Sequence, residues 1–271
     1  MVKLIYGRVE KRSEWARSFS KLFKKTDKDT YTLVPNSMIY QIEDPYITFI
    51  NDELILGGTH PKYKRGTVET YYGYFYKGTD LEDMFYFTTG PDFMKDIRLV
   101  QLNDGRIGIF SRPRSEEVRK KYGTESIVGF TIINSIDELD DEVIENATPI
   151  EGLYKNDEWG GCNQCYVLSD RLIGVTGHQC YFDGDLPVYT CTAFVFDYID
   201  HKIIENKIIA TSKCFPEHPA KVYKTSDTSF TSGMVMRNDG LVDLYSGLGD
   251  TMEGRVTIDD PFKNYREVTK N

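Results

Sequence analysis

The stretch KDIRLVQLNDGRIGIFSRPR, Lys95–Arg114, contains two short apolar runs on either side of Asn103-Asp104-Gly105. An Asp-Gly pair between apolar runs predicts a β-hairpin, because glycine tolerates the positive φ that tight hairpin turns require. The predicted strands are Arg98–Leu102 and Arg106–Phe110. In a hairpin, the residues before the first strand and after the second lie at the same end. We therefore expect the hairpin to have a plain tip and a charged base. The base would be formed by Lys95, Asp96, Arg98, Arg112 and Arg114.

The same pattern occurs three more times, in Ile47–His60, Cys165–Cys180 and Gly233–Asp250. In each copy an apolar strand meets a turn with Asp and a second apolar strand follows. The turn aspartates lie about 50 to 70 residues apart, at Asp52, Asp104, Asp170 and Asp239. Repeats of this length are typical of four-stranded propeller blades. We therefore predict an all-β chain that forms a β-propeller rather than a β-sandwich, as a single domain over residues 1–271.

The two ends of the chain and one acidic segment give further expectations. The sequence opens directly in a predicted strand, Leu4–Glu10, followed by a second one, Trp15–Phe23. We expect this first blade to be incomplete and to be closed by both termini, as propellers commonly are. The segment Asp137–Asn146 (DELDDEVIEN) is acidic and is interpreted as solvated surface rather than as a short helix.

Composition narrows the function classes. The net charge of −9 and the pI near 5.1 argue against binding to nucleic acid or to an anionic membrane. No run of 18 apolar residues and no signal-peptide pattern is present. The five cysteines are odd in number and lack the spacing of a disulfide framework. These features predict a soluble cytoplasmic protein with free thiols.

The candidate functional residues follow from the hairpin geometry. In a propeller the matching ends of successive hairpins converge on one face, so we expect the hairpin bases to line a central funnel. The tips carry only ordinary turn residues. A funnel with both acids and fixed cations suits a polyhydroxylated or anionic ligand. The expected lining residues are Arg8, Glu10, Asp44, His60, Lys95, Asp96, Arg98, Arg112, Arg114, Asn163, Gln164, His178, Gln179, Ser232 and Asp250.

Several stretches resemble a known family in the order that the family shows. IEDPYITFINDELIL, Ile42–Leu56, resembles the Glu-Asp-Pro segment of glycoside hydrolase family 130, the five-bladed β-mannoside phosphorylases and mannosidases. Tyr6–Glu10 (YGRVE) is similar to its early Arg-x-Glu strand, and Tyr245–Asp250 (YSGLGD) to its late Tyr-Gly-Ala-x-Asp strand. Glu158–Gly161 (EWGG) and Leu172–His178 (LIGVTGH) resemble its glycine-rich segment and the strand ending in His. The resemblance is nearest to an uncharacterised bacterial branch.

This resemblance implies a five-bladed propeller that cleaves a β-mannoside-like bond in an oligosaccharide or glycoside. Asp44 would be the general acid, acting through a sugar hydroxyl, while inorganic phosphate attacks from the opposite face. Phosphate would be a co-substrate, and no other cofactor is expected. The phosphate cradle would be Arg98, Arg112, Arg114 and His178, since the guanidinium fork binds phosphate oxygens bidentately.

The same resemblance implies substrate contacts from carboxylates and their neighbours. The expected substrate-binding residues are Arg8, Glu10, Asp96, Asn163 and Asp250, and Trp159 or Tyr154 could stack on a sugar ring. Two features depart from the family: Tyr46 stands where the family often has Arg, and only Lys155 offers a counterpart for its lysine. Hydrolysis by water therefore remains an alternative, with a base among Asp96, Glu10 and Asp250.

The sequence is open to three other interpretations. Cys162 and Cys165 with His178 and Cys180 could be written as a zinc site. Residues three apart on a strand point to opposite faces, so we expect these thiols to diverge and to be buried and free, with no metal. A propeller that binds a glycan or a protein without catalysis is the main functional alternative. An arabinanase-like hydrolase with three carboxylates, for which Glu10 would supply the acid, is the other.

Overall fold

The protein, described here from a computed structural model over residues 4–15, 17–82 and 84–266, is a five-bladed β-propeller. Each blade is one antiparallel sheet whose strands follow one another along the chain. Blade 1 contains β1 (Leu4–Val9), β2 (Phe19–Asp27) and β3 (Thr30–Leu33). Blade 2 contains β4 (Glu43–Ile50), β5 (Glu53–Lys64), β6 (Thr67–Gly78) and β7 (Met84–Thr89).

The remaining blades continue this order. Blade 3 contains β8 (Arg98–Gln101), β9 (Ile107–Ser111), β10 (Val128–Ile133) and β11 (Thr148–Ile150). Blade 4 contains β12 (Trp159–Val167), β13 (Leu172–Asp183), β14 (Leu186–Asp197) and β15 (Lys202–Ala210). Blade 5 contains β16 (Ser229–Met236), β17 (Leu241–Leu248) and β18 (Met252–Asp259).

The hairpin predicted in Lys95–Arg114 is confirmed. β8 pairs with β9 in the register Arg98↔Phe110 to Gln101↔Ile107. The turn is held as its sequence predicts, because Gly105 has a φ of 89° and the Asp104 carboxylate accepts the backbone N–H of Arg106 at 3.0 Å. The predicted second strand is displaced by one residue toward the base.

The expected closure of the first blade by both termini is wrong for the described residues. β1, β2 and β3 pair with one another, and the C-terminal strands form a sheet of their own. The chain after β18 turns inward instead, and Phe262 is fully buried in the core of blades 4 and 5. Blades 1 and 5 meet through side chains: the hydroxyls of Tyr31 and Tyr245 are 3.2 Å apart, and Arg255 donates to Asp29 at 2.8 Å.

The core consists of apolar layers between neighbouring blades. Every residue of β9 is buried, which explains why this strand is a continuous apolar run rather than an alternating one. Phe110 lies at the centre of the layer between blades 3 and 4, with ring centroids of Phe130 at 4.8 Å and Phe196 at 5.9 Å. Burial of such aromatic groups is the main source of the fold's stability.

The acidic segment contains a short helix, and its acidic side chains are exposed, as the solvated-surface interpretation expected. A short 3-10 helix, Ile136–Glu138, precedes α2 (Asp141–Glu145), and Asp140 caps α2 by accepting the N–H of Val143 at 2.8 Å. Ile144 is fully buried in the layer between blades 2 and 3. Leu139 is buried in the same layer, so two apolar side chains anchor a segment whose composition is dominated by acidic residues.

One further helix, α1 (Glu116–Tyr122), follows β9 and was not predicted. Ser115 caps its N-terminus, and Gly123, with a φ of 70°, ends it. Within the described ranges, no helix has the length and apolarity needed to cross a membrane.

We expect Phe110→Ala to lower the free energy of unfolding by about 3–5 kcal/mol, because the change leaves a cavity among packed aromatic rings. Phe49→Ala is the matched control, since Phe49 is 66% exposed on β4 and its loss should change stability by less than ~0.5 kcal/mol. Equilibrium urea unfolding of both variants measures the difference. Equal losses for the two variants would contradict this description of the core.

Candidate active site

The backbone is irregular at the base of three inner strands, where the candidate site residues lie. The pairing register shifts between Glu43 and Tyr46 in β4, between Cys162 and Gln164 in β12, and between Thr231 and Gly233 in β16. The residues in these bulges include Asp44, Asn163 and Ser232. A bulge adds a residue to one strand and redirects its side chain, which is why bulges occur beside active sites.

Three aspartates at the funnel also have left-handed backbone. The φ angles are 48° for Asp44, 59° for Asp96 and 56° for Asp250. Aspartate tolerates this conformation better than most residues, but it still costs about 1–2 kcal/mol. The rest of the structure must hold these residues in place.

The centre of the site is a buried ion pair between blades 3 and 4. Arg112 donates from Nη1 to Asp96 Oδ2 at 2.6 Å and from Nε to the Gly160 carbonyl at 2.6 Å. Both ionic side chains are at most 4% exposed. Burial opposes ionisation of Asp96, but Arg112 and Lys95 outweigh it and hold the pKa of this carboxyl well below its usual range. The second oxygen, Oδ1, is buried with no partner among the described residues.

His178 lies beside this ion pair as a neutral ring. Burial lowers its pKa to about 3, and the neighbouring cations Arg112, Lys95 and Arg98 add to that effect while Asp96 opposes it. Its Nδ1 is 2.8 Å from Asn163 Oδ1, and the ring stacks on Phe230 with centroids 4.1 Å apart. In the neutral ring, Nδ1–H donates to Asn163, so Nε2 carries the free lone pair. Nε2 is 3.8 Å from Asp96 Oδ2.

Arg98 is buried, and only some of its guanidinium nitrogens donate hydrogen bonds to described residues. It donates from Nε to the Asn163 carbonyl at 2.7 Å and from Nη1 to the Ile97 carbonyl at 3.0 Å. Its guanidinium lies over the Tyr46 ring, 4.4 Å from the centroid. Arg98 Nη2 and Arg112 Nη2 have no hydrogen-bond partner among the residues that the structure describes. These unused N–H groups are what a bound anion requires.

Lys95, which was expected at the charged hairpin base, is a further cation of the site besides Arg98 and Arg112. It is half-buried, and within the described part of the chain no carboxylate forms an ion pair with it. Its charge nevertheless lowers the pKa of Asp44 and of Asp96. Lys155, the counterpart suggested from the sequence, is exposed in a loop where its backbone N–H donates to Glu158. Of these two lysines, Lys95 is therefore the one whose charge acts on Asp44 and Asp96.

The opposite side of the site is a group of carboxylates around Arg8. Arg8 donates from Nη1 to Asp44 Oδ1 at 2.8 Å and from Nη2 to Glu10 Oε2 at 3.1 Å. Burial alone would raise the pKa of Asp44, but Arg8 and Lys95 hold it below its usual value. The pKa of the adjacent Glu43 is raised by burial and by Asp44. Burial also raises the pKa of Asp250, against the effect of Arg8.

Two sequence-based expectations do not agree with this arrangement. Arg114 is exposed and donates to Glu125 at 2.8 Å, so the structure does not bring it to the cluster around Arg112. Trp159 is buried in the core, where its Nε1 donates to the Tyr189 hydroxyl at 3.3 Å. Both outcomes depend on partners more than ten residues away in the chain.

The cysteines are free, but their geometry differs from the prediction. Because the bulge at Asn163 adds a residue, Cys162 and Cys165 both border the core layer between blades 3 and 4 instead of pointing to opposite faces. Burial raises the pKa of both thiols, that of Cys165 to about 12. Within the described ranges, no group of three His, Cys, Asp or Glu residues is placed to hold a metal ion.

Comparisons with known proteins agree with this fold. Residues 2–264 match a family described as a protein of unknown function, DUF1861. No curated protein sequence matches the chain. A glycosyl hydrolase from Bacteroides ovatus has a TM-score of 0.62 at 14% identity, over 95% of this chain and 81% of that chain, which shows a shared fold alone.

Two solved structures are much more similar. MPT-4, a mannose phosphorylase from Leishmania mexicana in complex with phosphate ion, is 49% identical with a TM-score of 0.91, over 97% of this chain and 81% of that chain. MPT-1, a GDP-Man-dependent mannosyltransferase from the same organism, is 44% identical with a TM-score of 0.90, over 100% of this chain and 84% of that chain. None of the matches described here carries the name of glycoside hydrolase family 130. The chain belongs to the DUF1861 family, and these two Leishmania proteins are its homologues.

Proposed function

We propose that this protein is a carbohydrate-active enzyme that breaks a β-mannosidic bond with inorganic phosphate and releases mannose 1-phosphate. The observation that carries the proposal is the pair of buried arginines, Arg98 and Arg112, whose Nη2 groups are unused beside the same funnel as Asp44. The 49% identity to a mannose phosphorylase in complex with phosphate supports both the sugar and the nucleophile.

Arg98, Arg112 and Lys95 would hold phosphate. Their positions are set before phosphate arrives, because the two arginines are anchored by backbone carbonyls and by Asp96. An anchored guanidinium loses little conformational entropy when it binds an oxyanion. His178, being neutral, would contribute no positive charge; the lone pair at Nε2 would accept a hydrogen bond from phosphate or from a sugar hydroxyl. Arg114, exposed and paired with Glu125, is no longer part of the proposed cradle.

Asp44 would supply the proton for the leaving group. In the reaction, a phosphate oxygen forms a bond to the anomeric carbon as the glycosidic C–O bond breaks, and the leaving oxygen takes a proton that originates at Asp44. Arg8 and Lys95 keep Asp44 ionised in the free protein. A phosphate anion beside Lys95 would offset that cation and raise the pKa of Asp44. Phosphate binding would therefore prepare the acid as well as supply the nucleophile.

A second candidate function is transfer of mannose from GDP-mannose to an acceptor sugar. The 44% identity to a GDP-Man-dependent mannosyltransferase favours it. Incubation with manno-oligosaccharides, with phosphate or with GDP-mannose, separates the candidates. Release of mannose 1-phosphate with phosphate indicates phosphorolysis, and chain extension only with GDP-mannose indicates transfer. A propeller that only binds glycans would show neither, and water as the nucleophile would release free mannose.

We expect Asp44→Asn to reduce mannose 1-phosphate release by 100-fold or more, since general acid catalysis typically contributes about 10²–10⁴-fold. Asparagine also tolerates left-handed backbone, so the variant should fold normally. Asp52→Asn is the matched control, because Asp52 also has a positive φ of 64° but lies at a hairpin tip. Initial rates with manno-oligosaccharides and phosphate measure the effect, and full activity of Asp44→Asn would contradict the assigned role.

We expect Arg98→Lys to raise the KM for phosphate about tenfold or more, because a lysine cannot reproduce the planar fork of donors. Arg114→Lys should leave this KM within about twofold, since that arginine binds Glu125 at the surface. Phosphate saturation curves for both variants measure the difference. An equal rise for both variants would return Arg114 to the phosphate site.

The neutral state of His178 predicts a pH dependence of stability. Below about pH 6.5 the unfolded chain protonates this histidine, whereas the folded protein does not do so until about pH 3. The part of the free energy of unfolding that depends on a neutral His178 is therefore fully present above pH 6.5 and is lost as the pH falls. It amounts to about 2 kcal/mol between pH 7 and pH 5. Urea unfolding of wild type and His178→Gln at several pH values measures this effect. We expect the difference in their free energies of unfolding to narrow by that amount from pH 7 to pH 5. Parallel plots of the free energy of unfolding against pH for the two proteins would contradict the prediction.

A further inference from the structure

A cavity of about 590 Å³ opens beside the candidate active site, between the loop that follows β1 and the base end of β5. Its volume lies in the ~300–1,000 Å³ range of ligand pockets. We call it the side cavity. The residues that matter for its chemistry are Glu10, Glu14, Arg17, Phe19, Gln41 and Tyr63.

The side cavity is connected to the proposed acid through two ion pairs of Arg8. Glu10 lines the cavity and accepts from Arg8 Nη2 at 3.1 Å, while Arg8 Nη1 donates to Asp44 at 2.8 Å. One guanidinium therefore joins the cavity wall to the carboxyl group that would protonate the leaving oxygen. The anion-binding groups Arg98 and Arg112 lie on other elements, β8 and the end of β9. The nucleophile and the leaving group lie on opposite sides of the reacting carbon, and a cavity joined to the proposed acid fits the leaving-group side.

The chemistry of the cavity suits an uncharged sugar. Arg17 lies over the Tyr63 ring, 5.6 Å from its centroid, and Phe19 is 42% exposed beside them. Aromatic faces with planar polar side chains at their edge can contact the C–H face of a sugar and bond its hydroxyls. Gln41, Glu10 and Glu14 supply such polar groups. The two carboxylates are balanced by Lys11 and Arg17, so the lining gives no excess positive charge for a nucleoside diphosphate.

The cavity wall is anchored from the far end of the chain. Lys221, only 2% exposed at its side chain, contacts Glu10 and the Glu14 carbonyl, and its ammonium lies 3.9 Å from the Trp15 ring centroid. A buried cation with three partners holds the loop after β1 in one conformation. A wall fixed in this way loses little entropy when a ligand binds.

We propose that the side cavity binds the leaving-group end of an oligosaccharide, so that this protein discriminates substrates by the sugar units beyond the cleaved bond. The inference rests on the proposed function for the identity of the leaving group. Its binding component can be measured without turnover. It predicts that a β-linked mannotriose binds more tightly than mannose, because only the longer chain reaches Tyr63 and Arg17.

The test uses Tyr63→Ala and Arg17→Ala, with Arg106→Ala as the matched control. Arg106 is also exposed and also paired, with Asp104, but lies at the tip of the blade 3 hairpin. Calorimetric titration with mannose and with β-linked mannotriose gives the binding constants. We expect each cavity variant to weaken mannotriose binding about tenfold, which corresponds to ~1.4 kcal/mol, while Arg106→Ala binds as wild type does. In phosphorolysis the variants should raise the KM for mannotriose but not the KM for phosphate.

The outcomes separate the two proposals. Weaker mannotriose binding in both cavity variants supports the side cavity even if no protein turns over any substrate, a result that would overturn the proposed function alone. Unchanged mannotriose binding in folded variants would overturn the proposed role of the side cavity and leave the proposed phosphorolysis intact. A wild type that binds mannose as tightly as mannotriose would have the same consequence. Circular dichroism checks the fold, and Gln41→Ala replaces Tyr63→Ala if that variant unfolds.

Discussion

The buried ion pair between Arg112 and Asp96 is the interaction on which the site depends. It joins the residue after β9 to Asp96, two residues before β8, and the bond from Arg112 to the Gly160 carbonyl extends it into blade 4. Removing one member of such a pair leaves an uncompensated charge, at a typical cost of about 3–5 kcal/mol. The close approach also requires Gly161, because a Cβ atom there would lie 3.0 Å from Asp96 Oδ2.

Around this ion pair, the fold accepts local strain at the places where chemistry is proposed. Asp44 and Asp96 have left-handed backbone, and the inner strands of blades 2, 4 and 5 lose regular pairing at their bases. Apolar layers between blades supply the stability that tolerates these irregularities, and they are most continuous at β9, directly beside Arg112. Local rules of sequence and structure are commonly broken at functional sites and compensated elsewhere.

The charged residues of the funnel form two groups. Arg98, Arg112 and Lys95 act on Asp96, while the carboxylates of Glu43, Asp44, Glu10 and Asp250 are grouped around Arg8. Neighbouring carboxyls in the second group have opposite pKa shifts, because Arg8 and Lys95 act most strongly on Asp44 while burial dominates at Glu43 and Asp250. Pairs of titratable groups driven apart in this way are typical of acid–base sites.

Much of the fold and the general location of the site follow from local sequence. The Asp-Gly turn, the repeated apolar hairpins and the alternation of strands predict blades whose charged bases converge, since these depend on residues a few positions apart. Tertiary contacts decided the rest. The bulge at Asn163 brought Cys162 and Cys165 to one core layer and aimed Asn163 at His178, and a shift of one residue in register is invisible to periodicity. Contacts between distant elements placed Lys95 rather than Lys155 near Asp44 and Asp96 and turned Arg114 toward Glu125. Among the residues from 4 to 266 that are described, they also gave blades 1 and 5 separate sheets. The physical reason is that partners far apart in the chain meet only when the ring of blades closes.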